Sequence, residues 1–99
     1  MIRLPLDDET APIFTVGQVS LFLNVQPAFL RRLDAENVVR PARSDGGQRR
    51  YSRDDIARVE RTADLMREGM TLVGILRIFE LEAQVRTLQS EIEELRATS

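Results

Sequence analysis

Cysteine, histidine, lysine and tryptophan are all absent from this 99-residue chain, and each absence narrows what it can do. Without cysteine there is no disulfide, no iron–sulfur cluster and no thiolate metal site. Without histidine the chain lacks imidazole for acid–base catalysis and the commonest zinc ligand. The remaining carboxylates fall mostly on expected helix surfaces, so we expect no enzyme, no cofactor and no metal site. No apolar run approaches the roughly 18–20 residues of a membrane span. The N-terminus also lacks the charged-then-apolar pattern of a signal peptide. A cytoplasmic protein without a membrane partner is expected. The length suits one small domain, which is only marginally stabilised by its own burial and is often helped by oligomerisation.

All 14 basic residues are arginine, and their placement is uneven. Residues 30–53 hold seven of them (Arg31, Arg32, Arg40, Arg43, Arg49, Arg50 and Arg53) against Asp34, Glu36 and Asp45. This segment is therefore +4 in a chain that is −2 overall. A positive island in an acidic protein is the electrostatic footprint of a surface that meets DNA.

The pattern of elements agrees. Residues 1–13 read as a flexible arm carrying Asp7, Asp8 and Glu9, with Ile13 and Phe14 as a short extended segment against the domain. Thr15 with Gln18 three positions later predicts a capping box, and Val16, Val19, Phe22 and Leu23 then fall on one face of a first helix. Asn24-Val25-Gln26 breaks it. Pro27 suits the first turn of a second helix over 27–36, with Phe29, Leu30 and Leu33 inward and Arg31, Arg32 and Glu36 outward. Asn37 suits a left-handed helix end, after which Val38 and Val39 return to the core. Two short helices joined by a three-residue break follow the helix-turn-helix plan, whose second helix enters the major groove.

Asp45-Gly46 is a two-residue hairpin signal, with Gly47 giving slack for a bulge, between strands over 40–43 and 48–51, a small wing in which Pro41 limits pairing. Ser52, with Asp54 and Asp55 in the first turn, begins a third helix that Gly69 ends. Thr71 caps a last one. There Ile78, Leu81, Val85, Leu88, Ile92 and Leu95 step by 3 and 4, a heptad seam that calls for a partner helix. The fold class is thus mainly α: a winged helix-turn-helix over 14–80, with a β-hairpin wing and a dimerisation coiled-coil helix over 81–99.

Candidate DNA contacts are Gln18, Gln26, Arg31, Arg32, Arg43, Gln48, Arg49, Arg50, Tyr51 and Arg53. Arg31 and Arg32 lie on the second helix. Arg43, Gln48, Arg49 and Arg50 lie on the wing, where an alternative role for the arginines is protection of an exposed strand edge. Tyr51 is read with its ring under the wing, and a phosphate contact by its hydroxyl and a packing role alone stand as equal alternatives. Gln18 is equally explained by capping.

Several of these stretches resemble the MerR family of bacterial transcription regulators. Phe14-Thr15-Val16-Gly17-Gln18-Val19 resembles that family's opening helix. Val25-Gln26-Pro27 with Leu30-Arg31 resembles the start of its recognition helix. Arg49-Arg50-Tyr51-Ser52-Arg53-Asp54-Asp55-Ile56 resembles its wing strand and following helix. Within the family, Gly46-Gly47-Gln48 and the segment over 74–90 are similar to HspR-type heat-shock repressors.

The resemblance implies a nucleoid-associated bacterial regulator that binds double-stranded DNA as an antiparallel homodimer, on an inverted repeat. Repression is favoured, with a chaperone as possible co-repressor. Phe29, Arg32, Leu33 and Asn37 depart from the family's usual residues, and three of them fall in the recognition helix, where operator choice is made. Ending at Ser99 leaves no effector-binding domain, so a small-molecule or metal sensor is not expected. A heterodimer with a related chain fits the seam as well. The alternative from another class is a protein-interaction module on the same scaffold, binding a chaperone or sigma factor, for which an exposed Phe29 or Leu33 would speak.

Overall fold

The computed structural model describes residues 8–99; the first part of the expected arm, residues 1–7, lies outside them. Its elements are α1 (Val16–Leu23), α2 (Pro27–Ala35), β1 (Ala42–Arg43), β2 (Arg49–Arg50), α3 (Arg53–Arg67) and α4 (Leu72–Thr98). This is the expected mainly helical architecture with a two-stranded antiparallel hairpin and a long last helix.

The helix ends follow local chemistry. Thr15 Oγ1 accepts from the Gln18 N–H at 3.1 Å while Gln18 Oε1 accepts from the Thr15 N–H at 2.9 Å. Ser52 and Asp55 repeat the same reciprocal box at the start of α3. Each box satisfies donors that the first helical turn leaves orphaned. Asn24 ends α1 in the left-handed region at φ 53°, and Asn37 follows α2 at φ 62°. Asparagine tolerates that region, so both helices stop abruptly and the chain turns. The second helix is slightly shorter than expected, with Glu36 as its cap.

One core joins the elements. Val19, Leu30, Leu33, Val38, Val39, Tyr51, Val59, Leu72, Ile75 and Phe79 are buried together. Each fully buried aliphatic contributes about 1.5–3 kcal/mol, which places Leu30 and Leu33 among the main anchors of α2. Phe22 does not join them. It is 60 % exposed and touches only the margin, edge-on to Phe14 with ring centroids 5.8 Å apart. Eight residues give α1 room for little more than Val16, Val19 and Leu23 on its inner face.

The wing is smaller than its sequence pattern. Ala42 pairs with Arg50 and Arg43 with Arg49, and the ladder stops there. Pro41, which would face Tyr51 next, has no N–H to give. Tyr51 instead pairs with Phe14, exchanging N–H···O bonds of 2.9 and 2.7 Å. The turn uses the slack for a bulge expected at Gly47 and is longer than the two-residue form. Gly47, not Gly46, takes the left-handed conformation, at φ 82°. Gly47 N–H donates to Ser44 O and Ser44 N–H donates to Gln48 O, the bonding of a longer turn closed by a glycine bulge.

The last helix runs unbroken through positions 80 and 81. What changes there is burial. Leu72, Ile75 and Phe79 are buried, whereas Leu81, Val85, Leu88, Ile92 and Leu95 are all exposed. The seam does not fold back on its own domain.

Candidate nucleic-acid interface

Asp34 organises the basic surface. Near the end of α2, its Oδ2 accepts from Arg43 Nη2 at 3.0 Å and from Arg49 Nε at 2.7 Å. Its side chain is only 14 % exposed. One carboxylate oxygen therefore ties both wing strands to the second helix of the helix-turn-helix, through charge-assisted bonds of the stronger kind. Sequence reasoning missed this residue. The available signal was an isolated acid three positions after Arg31, on the helix face that leads into an arginine-rich hairpin.

The pairing sorts the arginines. Arg43 and Arg49 are engaged within the protein, and Arg32 forms an i,i+4 pair with Glu36 at 2.9 Å. Arg50 Nη1 reaches Gln48 Oε1 at 3.4 Å and the Arg49 carbonyl at 3.2 Å, without a carboxylate partner. The side chains of Arg31, Arg40 and Arg53 make no hydrogen bond or ion pair among the described residues and are exposed. Arg31 stands one turn before Asp34, and residues three apart on a helix are neighbours, so Arg31 shares the wing-facing side of α2. Arg32 is turned about 100° away from it.

The wing also approaches the first helix. Thr15, Val16 and Gly17 at the N-terminus of α1 line a shallow groove with Arg43, Gln48, Arg49 and Arg50. A helix N-terminus carries unpaired N–H groups and a positive dipole end, and arginines opposite it strengthen the local field for an anion. Gln26, exposed at the N-cap of α2, makes no side-chain cap bond. Gln18 is exposed, but its amide oxygen is held in the capping box.

The Tyr51 ring lies under the wing as expected, and of the two alternatives for its hydroxyl the phosphate contact is corrected. Tyr51 is fully buried, and its hydroxyl is enclosed without a hydrogen-bond partner. Burial raises its pKa above the ordinary value, with Arg49 opposing. The residue supports the wing from beneath. Its backbone pairing with Phe14 holds the ring in the core, so the hydroxyl does not open to the basic surface.

Leu33 is likewise fully buried, which removes it as an exposed anchor for a protein partner, while Phe29 is half-buried against the core.

Comparison with known proteins places this geometry in context. A family model described as MerR HTH family regulatory protein matches residues 14–82. The chain is 38 % identical over 90 residues to a putative heat shock protein HspR of Streptomyces coelicolor, covering 90 % of this chain and 60 % of that protein. It is 25 % identical over 95 residues to the HTH-type transcriptional regulator GlnR of Bacillus anthracis, covering 93 % of this chain and 74 % of that one. The chain thus spans about three-fifths of the HspR relative's length. In fold it is similar to the crystal structure of a MerR-family transcriptional regulator from Bacillus cereus. The TM-score is 0.64 at 23 % identity, over 85 % of this chain and 67 % of that one.

Proposed function

The chain belongs to the MerR helix-turn-helix family of regulatory proteins, and from that premise we propose that it is a sequence-specific DNA-binding transcriptional regulator that represses as a homodimer on an inverted repeat. The observation that carries this reading is the Asp34 bridge. It fixes the wing against α2 while leaving Arg31 exposed and unpaired beside it.

In this reading α2 enters the major groove, with Arg31 on a base edge and Gln26 at the helix start beside it. Arg32 contributes from the helix margin. Arg50, Arg53 and Gln48 meet phosphates, with the N-terminus of α1 and its Gln18 cap alongside. Arg43 and Arg49 face the same backbone while Asp34 sets their position. The name of the HspR relative supports a heat-shock role, and a chaperone co-repressor belongs to that proposal.

The exposed seam supplies the dimer. Val85 and Ile92 alternate with Leu81, Leu88 and Leu95, a narrow exposed apolar stripe with the spacing that a second helix covers, while Ile78, expected to open the seam, is partly buried against the chain's own core. Two-fold symmetry in the protein requires two-fold symmetry in the operator. No described helix is long and apolar enough to cross a membrane.

The test is retention of genomic fragments on the purified protein, sequenced at two salt concentrations. Enrichment of one inverted repeat that persists at the higher salt is the expected result. Uniform, salt-labile retention would reduce the reading to backbone binding, because only that component is lost so steeply with salt. No retention at either salt would favour the protein-interaction module.

A further inference from the structure

The long last helix leaves the domain at a well-defined joint. Phe79 is the last buried residue of α4, and Leu81, two positions on, opens the exposed seam. Two arginines one turn apart on α3 cover the Phe79 ring. The guanidinium carbons of Arg58 and Arg61 stand 4.3 and 5.4 Å from its centroid, within cation–π range. One turn further along α4, the Glu82 carboxylate accepts from both terminal nitrogens of Arg61, at 2.5 and 2.7 Å. Successive turns of α3 thus grip successive turns of α4 at the point where burial ends.

Arg58 has a second engagement, its Nε donating to the Val38 carbonyl at 2.6 Å. Val38 follows Asn37, the left-handed residue beyond α2, and its own N–H donates to the Leu33 carbonyl of that helix at 2.9 Å. One guanidinium therefore ties the end of α2 to the root of the projecting helix. The charges around it are matched, since Asp54, Asp55 and Glu82 line the same groove as Arg58, Arg61 and Arg86. The cluster is a clamp filled by its own side chains.

Magnitudes decide what such a clamp can do. The Arg61–Glu82 pair is partly exposed, and pairs of that kind add little to stability. A bidentate fork nevertheless fixes direction as well as distance. Direction matters because α4 is a lever. A tilt of about 10° at Phe79 moves the middle of the seam, Leu88, by roughly 2.4 Å, because that residue lies about 14 Å further along the helix. Two-fold symmetry doubles the displacement to about 5 Å, more than the roughly 3.4 Å between successive base pairs.

We propose that Arg58 and Arg61 are positioning residues for operator spacing: acting on Phe79 and Glu82, they set the angle between α4 and α2, and so the separation at which a dimer accepts two half-sites. This role rests on the dimeric DNA-binding reading above. It concerns spacing alone, since neither arginine belongs to the basic surface around Asp34.

The test uses the full chain and duplexes carrying two inverted copies of its selected half-site, at every separation across one helical turn of about 10 base pairs. The wild type should favour one separation over its neighbours by about tenfold or more, because a misfit has to be absorbed by deforming the DNA. Glu82→Arg should flatten that preference to about threefold or less, and combining it with Arg61→Glu should restore it. Arg58→Met, which keeps an apolar stem over Phe79 without the guanidinium, should flatten it too. Affinity for a duplex with a single half-site should stay within about twofold of wild type in every variant, since no DNA contact is removed. Glu82 flanks the seam, and rescue by the exchange pair separates an effect on the joint from one on dimerisation. A sharp wild-type profile retained by the Glu82 and Arg58 variants would overturn this role and leave the regulator reading intact. So would an equal loss on the single half-site, which would make the clamp merely structural. A flat wild-type profile would overturn the inverted-repeat reading, and the positioning role with it.

Discussion

Asp34 and Arg49 meet at 2.7 Å across 15 positions of sequence, and the same carboxylate oxygen takes Arg43 at 3.0 Å. The pairing helps to set the angle between the helix and the wing, which also share the core through Leu30, Leu33, Val38, Val39 and Tyr51. Replacing Asp34 with alanine leaves the partly buried Arg49 without its partner. The cost should be on the order of 1–3 kcal/mol, most of it from Arg49, because Arg43 is half exposed and screened. Urea unfolding checks this. The same variant should bind operator DNA more weakly even where it is fully folded, and an unchanged affinity would remove Asp34 from the interface.

Arg31 and Arg50 should fail differently. Arg31→Ala, if it removes a base contact, costs on the order of 1–3 kcal/mol on the cognate site and little on unrelated DNA. Arg50→Ala, if it removes a phosphate contact, weakens binding to every sequence and flattens the salt slope by about one unit. Titrations of both variants against cognate and random duplexes at several salt concentrations separate the roles. Identical behaviour of the two would mean that α2 and the wing are not divided as proposed.

What the sequence made legible was local. The Thr15–Gln18 box acts over three residues, the Ser52 cap within one turn, and the left-handed end at Asn37 belongs to one residue, so pattern alone locates them. The heptad seam is legible for the same reason, its spacing being internal to one helix. Asp34 was not, because its meaning depends on two arginines 9 and 15 positions away that only the folded hairpin brings to it. The Tyr51 ring was legible under the wing, but the enclosure of its hydroxyl was not, through a similar dependence. Its place is set by Phe14, far upstream, and by the missing N–H of Pro41. The glycine pair was ambiguous for a subtler reason. Gly46 and Gly47 both permit positive φ, and the choice between them follows from where Ser44 and Gln48 close the loop.

Leu88 offers the cleanest test of assembly. It is 57 % exposed and lies well beyond the last buried residue, Phe79, so within one chain it stabilises nothing in the core. Leu88→Glu should leave the helical content of the domain close to wild type while abolishing self-association in sedimentation equilibrium. A second helix that buries Leu88 cannot accept the carboxylate without desolvating it. DNA binding should then drop to that of isolated half-site recognition. A variant that sediments like the wild type would show that the seam is not the dimer contact.

Tyr51→Phe tests the core beneath the wing. The tyrosine hydroxyl is buried without a partner, so deleting it removes an unsatisfied polar group and should raise stability by up to about 1 kcal/mol. Operator affinity should not change, since the hydroxyl does not reach the surface; a clear loss would restore a phosphate role to it. The pH dependence has a definite sign. Burial lifts the folded-state pKa above the ordinary 10.0, so the folded chain keeps the phenolic proton where the unfolded chain releases it. The corresponding stability is complete below about pH 10 and is lost as pH rises towards the folded-state value. Tyr51 is the sole tyrosine and there is no tryptophan, so ultraviolet absorbance follows its ionisation directly. The midpoint should lie above 10 in the folded protein and return to about 10 in concentrated urea. Tyr51→Phe should lose less stability than the wild type over the same alkaline range.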